Sequence, residues 1–99
     1  MYNYVIVEEN HEIAYVIFNR VSERNSINME FLRELNDVLD REEKNEDCKI
    51  VVLSGKNGYF CTGMDFKEYT KDASGPGSFK EDSQAMFMDL LRRISLYPK

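Results

Sequence analysis

Two short runs, Ile13-Ala14-Tyr15-Val16-Ile17-Phe18 and Ile50-Val51-Val52-Leu53, are apolar at every position, and a long amphipathic stretch separates them. Strands that are apolar at consecutive positions ask for cover on both faces. The stretch between them opens at Asn28, a good N-cap residue, with Glu30 in the first turn, where the helix dipole favours an acid. Leu32, Leu35, Val38 and Leu39 follow at spacings of three and four, which is the pattern of one buried helix face. The charged segment Asp40 to Asp47 then lets this helix end in solvent. Strand, long helix, strand predicts that the two runs lie parallel in one sheet, joined by a right-handed crossover. The fold class is therefore α/β.

The remaining elements extend that frame. Tyr2 to Glu8 reads as a preceding strand, with Tyr2, Tyr4 and Ile6 on one face and Val5 and Val7 on the other. The short polar link Glu9-Asn10-His11-Glu12 suits a hairpin to the second strand, which places His11 in an exposed turn. After the third strand, closed by Ser54-Gly55, a loop Gly55-Lys56-Asn57-Gly58 leads into Tyr59-Phe60-Cys61-Thr62-Gly63-Met64-Asp65-Phe66. Asp65-Phe66-Lys67-Glu68 reads as a short helix start, and Lys71 to Gly77, containing Gly75-Pro76-Gly77, reads as a mobile loop. Ser78-Phe79-Lys80-Glu81 is a capping box, followed by Phe87, Leu90, Leu91 and Ile94 on one helix stripe that must stop by Tyr97, because Pro98 follows. Three strands and two or three helices make a thin layer, so the chain reads as the first half of a larger α/β domain.

Composition closes off several classes. With 13 basic against 18 acidic side chains the net charge is −5, the wrong sign for a nucleic-acid module. No apolar run reaches the ~20 residues of a membrane span, and the N-terminus is not built as an export signal. The expectation is a soluble cytoplasmic protein. Cys48 and Cys61 have no His or Cys partner at ligand spacing, so they read as two free thiols rather than as a disulfide framework or a metal site.

Two places invite chemistry. In Phe60-Cys61-Thr62-Gly63-Met64-Asp65, a glycine before a helix start lets a ligand approach the backbone, and the N–H groups that follow are free to receive it. One backbone donor aimed at a carbonyl oxygen that gains negative charge can contribute about 10²–10³ in rate. The plainer alternative is a connection that holds no ligand. The other place is Arg20-Val21-Ser22-Glu23-Arg24-Asn25-Ser26, where two arginines near a helix N-terminus could hold a phosphate, or form a solvated loop with a surface ion pair. Asp65 reads as a helix cap before it reads as a catalytic acid. No Ser–His–Asp or Cys–His arrangement can be assembled.

At these residues the pattern resembles a known family. Val5-Ile6-Val7, Ile13 to Arg20, Arg24-Asn25-Ser26-Ile27-Asn28, Ile50 to Gly55 and Tyr59 to Glu68 occur in the order and spacing that open the crotonase (enoyl-CoA hydratase/isomerase) superfamily. The resemblance implies a spiral of ββα units, of which 1–99 would be the N-terminal portion. It also implies acyl thioesters of coenzyme A or of an acyl carrier protein as substrates. The Met64 N–H would be one of two oxyanion-hole donors that polarise the thioester carbonyl and stabilise an enolate. Thr62, Gly63, Asp65, Phe66 and Lys67 would touch the substrate and the adenine end of coenzyme A, largely through backbone. Arg24 and Ser26 would lie along its phosphates and pantetheine arm. The chemistry calls for no metal and for no cofactor beyond coenzyme A or phosphopantetheine as part of the substrate. Trimers or hexamers are the assemblies such members commonly form.

The departures are specific. The usual Asn-Arg-Pro is Asn19-Arg20-Val21 here, and Met64 replaces a smaller residue. The second oxyanion glycine and the catalytic carboxylates of most members lie beyond Lys99, so residues 1–99 alone are expected to be inactive. The Phe60 to Phe66 block and the Leu96-Tyr97-Pro98 ending are similar to dehydratases of polyketide β-branching, which remove water from a 3-hydroxy-3-methylglutaryl group on a carrier protein. A fatty-acid-type enoyl-CoA hydratase or isomerase is the alternative branch. A non-catalytic thioester-binding module, or a piece that only completes a partner half, are the alternatives outside catalysis.

Overall fold

The computed structural model describes residues 2–65 and the backbone of 78–99, with side chains from 84 onward. Strands β1 (Val5–Asn10), β2 (Ile13–Phe18) and β3 (Ile50–Gly55) form one sheet in the order β1-β2-β3. β1 and β2 are antiparallel and β2 and β3 are parallel, as the strand–helix–strand pattern requires. Helix α1 (Met29–Lys44) is the crossover, and helix α2 (Ser78–Leu96) packs beside it. His11 turns the hairpin exposed, in a left-handed backbone conformation.

Register places Val5 and Val7 on the same sheet face as Ala14, Val16 and Phe18, and as Val51 and Leu53. This face meets α1 through Phe31, Leu32, Leu35, Val38 and Leu39, and together they form the core. The Asn28 side chain caps α1 by accepting from the Phe31 N–H at 2.8 Å. The opposite sheet face, with Ile13, Tyr15 and Ile17, is only half buried, and Ile50 is exposed. Two-sided cover is thus met on one side by residues described here. On α2, Leu90 is buried and Met86 and Phe87 pack on the core, whereas Leu91 and Ile94 are exposed.

Three expectations change. The first strand begins at Val5, not Tyr2, and Tyr2 and Tyr4 join the α1 side rather than the Ile6 face. Tyr4 stacks on Phe31 at 5.9 Å, and the Tyr2 hydroxyl donates to Asp37, because the chain has left strand geometry before Val5. β3 runs on through Ser54 and Gly55. Gly55 is needed there, since a Cβ would lie 2.1 Å from the Tyr59 carbonyl oxygen. Finally, the charged end of α1 is exposed as expected except at Glu42 and Asn45, but its carbonyls are not left to water: Lys99 Nζ donates to the Glu42 and Asn45 carbonyls at 2.6 and 2.7 Å, and the Tyr97 hydroxyl donates to the Leu39 carbonyl. The helix start at Asp65-Phe66-Lys67-Glu68 and the Gly75-Pro76-Gly77 loop lie outside the described residues, as do the capping-box side chains of Ser78 to Glu81.

Candidate functional site

The carboxyl ends of β2 and β3 and the N-terminus of α1 meet at one end of the sheet, the position where ligands bind in open α/β folds. Two connections run side by side there, residues 19–28 and residues 56–65. They join at one parallel bridge, Ile27 to Met64. The Ile27 N–H donates to the Gly63 carbonyl at 2.8 Å, and the Asp65 N–H donates to the Ile27 carbonyl at 3.0 Å.

This pairing fixes a direction. The Gly63 carbonyl and the Met64 N–H belong to one planar trans peptide group, so they point opposite ways. Anchoring the carbonyl on Ile27 turns the Met64 N–H to the far side of the segment, away from α1's entry. Gly63 reaches this geometry at φ +100°, a backbone conformation that residues with a Cβ rarely adopt.

Buried polar side chains hold the two connections together. Arg20, at the end of β2, donates from Nη1 to Asp65 Oδ2 at 2.7 Å, to the Ser26 carbonyl at 3.1 Å and to Ser26 Oγ at 3.0 Å. The ion pair is nearly dry, with side-chain exposures of 11% and 8%. Asn25, wholly buried, accepts from the Arg20 N–H at 2.7 Å and donates to the Tyr59 carbonyl at 2.7 Å. It sits at φ +59°, which asparagine tolerates better than most residues.

The predicted site residues divide accordingly. Thr62 and Arg24 are brought together, the threonine hydroxyl donating to the Arg24 carbonyl at 3.1 Å. Arg24 is exposed, with its guanidinium 5.9 Å from the Tyr59 ring centre. Gly63, Met64 and Asp65 lie at the bridge, and Ser26 is part of the Arg20 cluster. Phe66 and Lys67 lie outside the described residues. The phosphate reading of the 20–26 loop is corrected in one respect: the nearly buried Arg20 is a structural cation bonded to Asp65 and Ser26, which leaves Arg24 as the arginine of that loop facing solvent. Asn25 was overlooked as a site residue; its only signal in the sequence is an asparagine in a tight loop before an N-cap. Cys61 is half buried, and its sulfur accepts from the Gly63 N–H at 3.4 Å.

Among the described residues no group of three potential ligands could hold a metal ion. No helix of the described residues is long and apolar enough to cross a membrane. An open cleft between Glu43, Asp47, Cys48 and Lys99 lies at the other end of α1, one 16-residue helix or about 24 Å away, and is not part of this site.

The family model described as enoyl-CoA hydratase/isomerase matches residues 8–99. The chain belongs to the enoyl-CoA hydratase/isomerase family. Among this family's curated proteins, it is 36% identical over 78 residues to the enoyl-CoA hydratase EchA19 of Mycobacterium tuberculosis, covering 79% of this chain and 29% of that protein. It is 37% identical over 78 residues to the hydroxycinnamoyl-CoA hydratase-lyase of Pseudomonas fluorescens, covering 78% and 28%. The chain therefore spans less than a third of the length of these relatives. Its fold matches that of Pseudomonas aeruginosa AtuE with a TM-score of 0.90 at 23% identity, covering 98% of this chain and 38% of that one. The architecture is that of the N-terminal portion of the crotonase fold.

Proposed function

We propose that the protein carrying these residues is a hydratase or isomerase of enoyl-CoA thioesters, and that the Met64 N–H is one of two donors to the thioester carbonyl oxygen. The observation that carries this reading is the Gly63–Met64 peptide, whose carbonyl is tied to Ile27, so that its N–H points away from the Ile27 segment. Charge that develops on the substrate oxygen as an enolate forms is stabilised there by a donor that needs no reorganisation. By the family resemblance, the second donor and the carboxylates that move protons belong to segments C-terminal to the region matched here.

Thr62 and Gly63 would line the approach of the thioester, with Phe66 and Lys67 toward the adenine. Arg24 and Ser26 would lie along the phosphates and pantetheine arm. Asp65 serves the same site by holding the segment rather than by touching substrate. The relatives named above are hydratases of CoA thioesters, and another, 31% identical over 87 residues, is the mouse mitochondrial dienoyl-CoA isomerase. These names favour the fatty-acid-type branch and a CoA substrate over the polyketide dehydratase with a carrier-protein substrate. A cytoplasmic, trimeric or hexameric enzyme belongs to the same reading.

The test is Gly63→Val in the whole protein with crotonyl-CoA, following loss of the enoyl absorbance. A β-branched side chain is strained at φ +100° and rotates the peptide that carries the donor. Turnover is expected to fall by about 10²–10³, the cost of losing one oxyanion donor. Normal turnover by a Gly63→Val protein with an unchanged circular dichroism spectrum would falsify the assignment.

A further inference from the structure

The geometry points to Arg20 as a positioning residue that aims and polarises the Met64 N–H through two peptide groups in series. This inference rests on the oxyanion reading of Met64 and adds to it a residue that touches no substrate. The chain of bonds is continuous. Arg20 Nη1 donates to the Ser26 carbonyl at 3.1 Å. The same peptide group carries the Ile27 N–H, which donates to the Gly63 carbonyl at 2.8 Å. That second peptide group carries the Met64 N–H. A cation therefore sits at one end of a hydrogen-bond chain, and the proposed substrate oxygen sits at the other.

Each link works in the same direction. An amide whose carbonyl accepts a hydrogen bond becomes a better N–H donor, so bonds in a chain strengthen one another, by about 10–30% each in condensed phases. A guanidinium at the head gives the chain a charge-assisted first bond, stronger than a neutral one. Burial matters here, since at the surface water would screen the cation before the first peptide felt it. The Arg20 and Asp65 side chains are nearly dry, and the Arg20 guanidinium carbon lies 5.5 Å from the Tyr4 ring centre.

Position is fixed by the same group. One nitrogen of Arg20 holds the Ser26 carbonyl, just before Ile27, and the Asp65 carboxylate, just after Met64. The two sides of the Ile27–Met64 bridge are thereby clamped across it. Asp65 keeps the cation at the head of the chain; without it the guanidinium would be free to swing to water.

The experiment uses the whole protein, a dienoyl-CoA whose absorbance moves red when its carbonyl is polarised, and crotonyl-CoA turnover. Arg20→Gln keeps a donor near Ser26 but removes the charge. It is expected to shrink the red shift of the bound dienoyl-CoA by about a fifth to two-fifths, as two links of 10–30% each allow, and to lower kcat severalfold, a fraction of the 10²–10³ for losing the donor outright. KM is expected to stay within about twofold, because the interaction strengthens only as charge develops. Arg20→Lys, which restores charge, is expected to recover part of the red shift. If Arg20→Gln does not fold, the double variant Arg20→Met/Asp65→Leu removes the charges without leaving one buried alone, and the same loss of red shift is expected. A folded variant lacking the Arg20 charge that retains the full red shift and kcat overturns the relay while leaving Met64 in place. A wild-type protein that binds the dienoyl-CoA with no red shift overturns the Met64 reading itself, and the relay with it.

Discussion

The two ends of α1 are held by opposite means. At its N-terminal end, Asn25 and Asp65 are buried and Arg20 is nearly so, and they bond to each other and to backbone, tying two loops into one body. At its C-terminal end, Arg93 pairs with Asp40 at 2.6 Å and with Glu43 at 3.4 Å, and both acids are largely exposed. Lys99 and Tyr97 there reach the helix carbonyls from the far end of the chain. Buried polar groups that have no substitute partner in water enforce one geometry, whereas exposed pairs add little and exchange with solvent. The donor proposed for chemistry lies at the rigid end.

The sharpest way to break this comparison is to remove one charge from each end. Asp65→Leu strands the Arg20 guanidinium in a dry site and is expected to destabilise the protein by about 3–5 kcal/mol. Asp40→Ala at the other end is expected to cost about 0–1 kcal/mol, the range of exposed pairs. Chemical denaturation of the two variants measures both. Adding Arg20→Met to Asp65→Leu should recover most of the first loss, because an apolar pair of similar size can replace a buried ion pair. Equal losses at the two ends would end the distinction.

A smaller effect tests whether Asn25 shares in the rigid end. Asn25→Ala leaves the Arg20 N–H and the Tyr59 carbonyl without their partner, which costs about 1–3 kcal/mol. It also puts a Cβ without a compensating side-chain bond at φ +59°. Asn25→Gly relieves the backbone part alone. The difference between the two denaturation midpoints therefore separates strain from lost hydrogen bonds, and a glycine variant more stable than the natural protein would show that the bonds contribute less than the strain they accompany.

The core was legible because its signal is local. Leu32, Leu35, Val38 and Leu39 announce α1 by spacing, and the apolar runs on either side announce parallel strands. The turn at Gly63 was legible because a glycine before a helix start has a sequence signature, and it does take positive φ. The clamp was not. Arg20 and Asp65 are 45 residues apart, and an arginine read alone looks like a phosphate ligand as readily as a structural cation. The cover on the C-terminal end of α1 was equally hidden, since Lys99 lies 57 residues from Glu42. Periodicity reports which face is buried; it does not report which distant polar group meets it.

The smallest expected effect belongs to the C-terminal end. Burial first, and then the negative charge of Glu43, pushes the Tyr97 hydroxyl up to about 12 from an ordinary value of 10. The folded protein then holds this proton more tightly than the unfolded chain does. Its contribution is fully present below pH 10, declines as pH rises from about 10 to about 12, and is constant above that. The ionised oxygen can no longer donate to the Leu39 carbonyl, so the α2 end loses its hold on α1 over the same interval. Tyr2 is shifted in the same direction by its burial and by Asp37, so Tyr2→Phe serves as the background for the measurement. On that background, Tyr97→Phe is expected to flatten the alkaline fall in the denaturation midpoint while lowering the midpoint slightly at pH 7. The Gly63→Val and Arg20→Gln effects, set at the other end of α1, should keep their size across the same alkaline range as long as the protein remains folded. If those effects faded as Tyr97 ionised, the two ends would be coupled through α1, and the helix would have to be treated as one element that both ends strain.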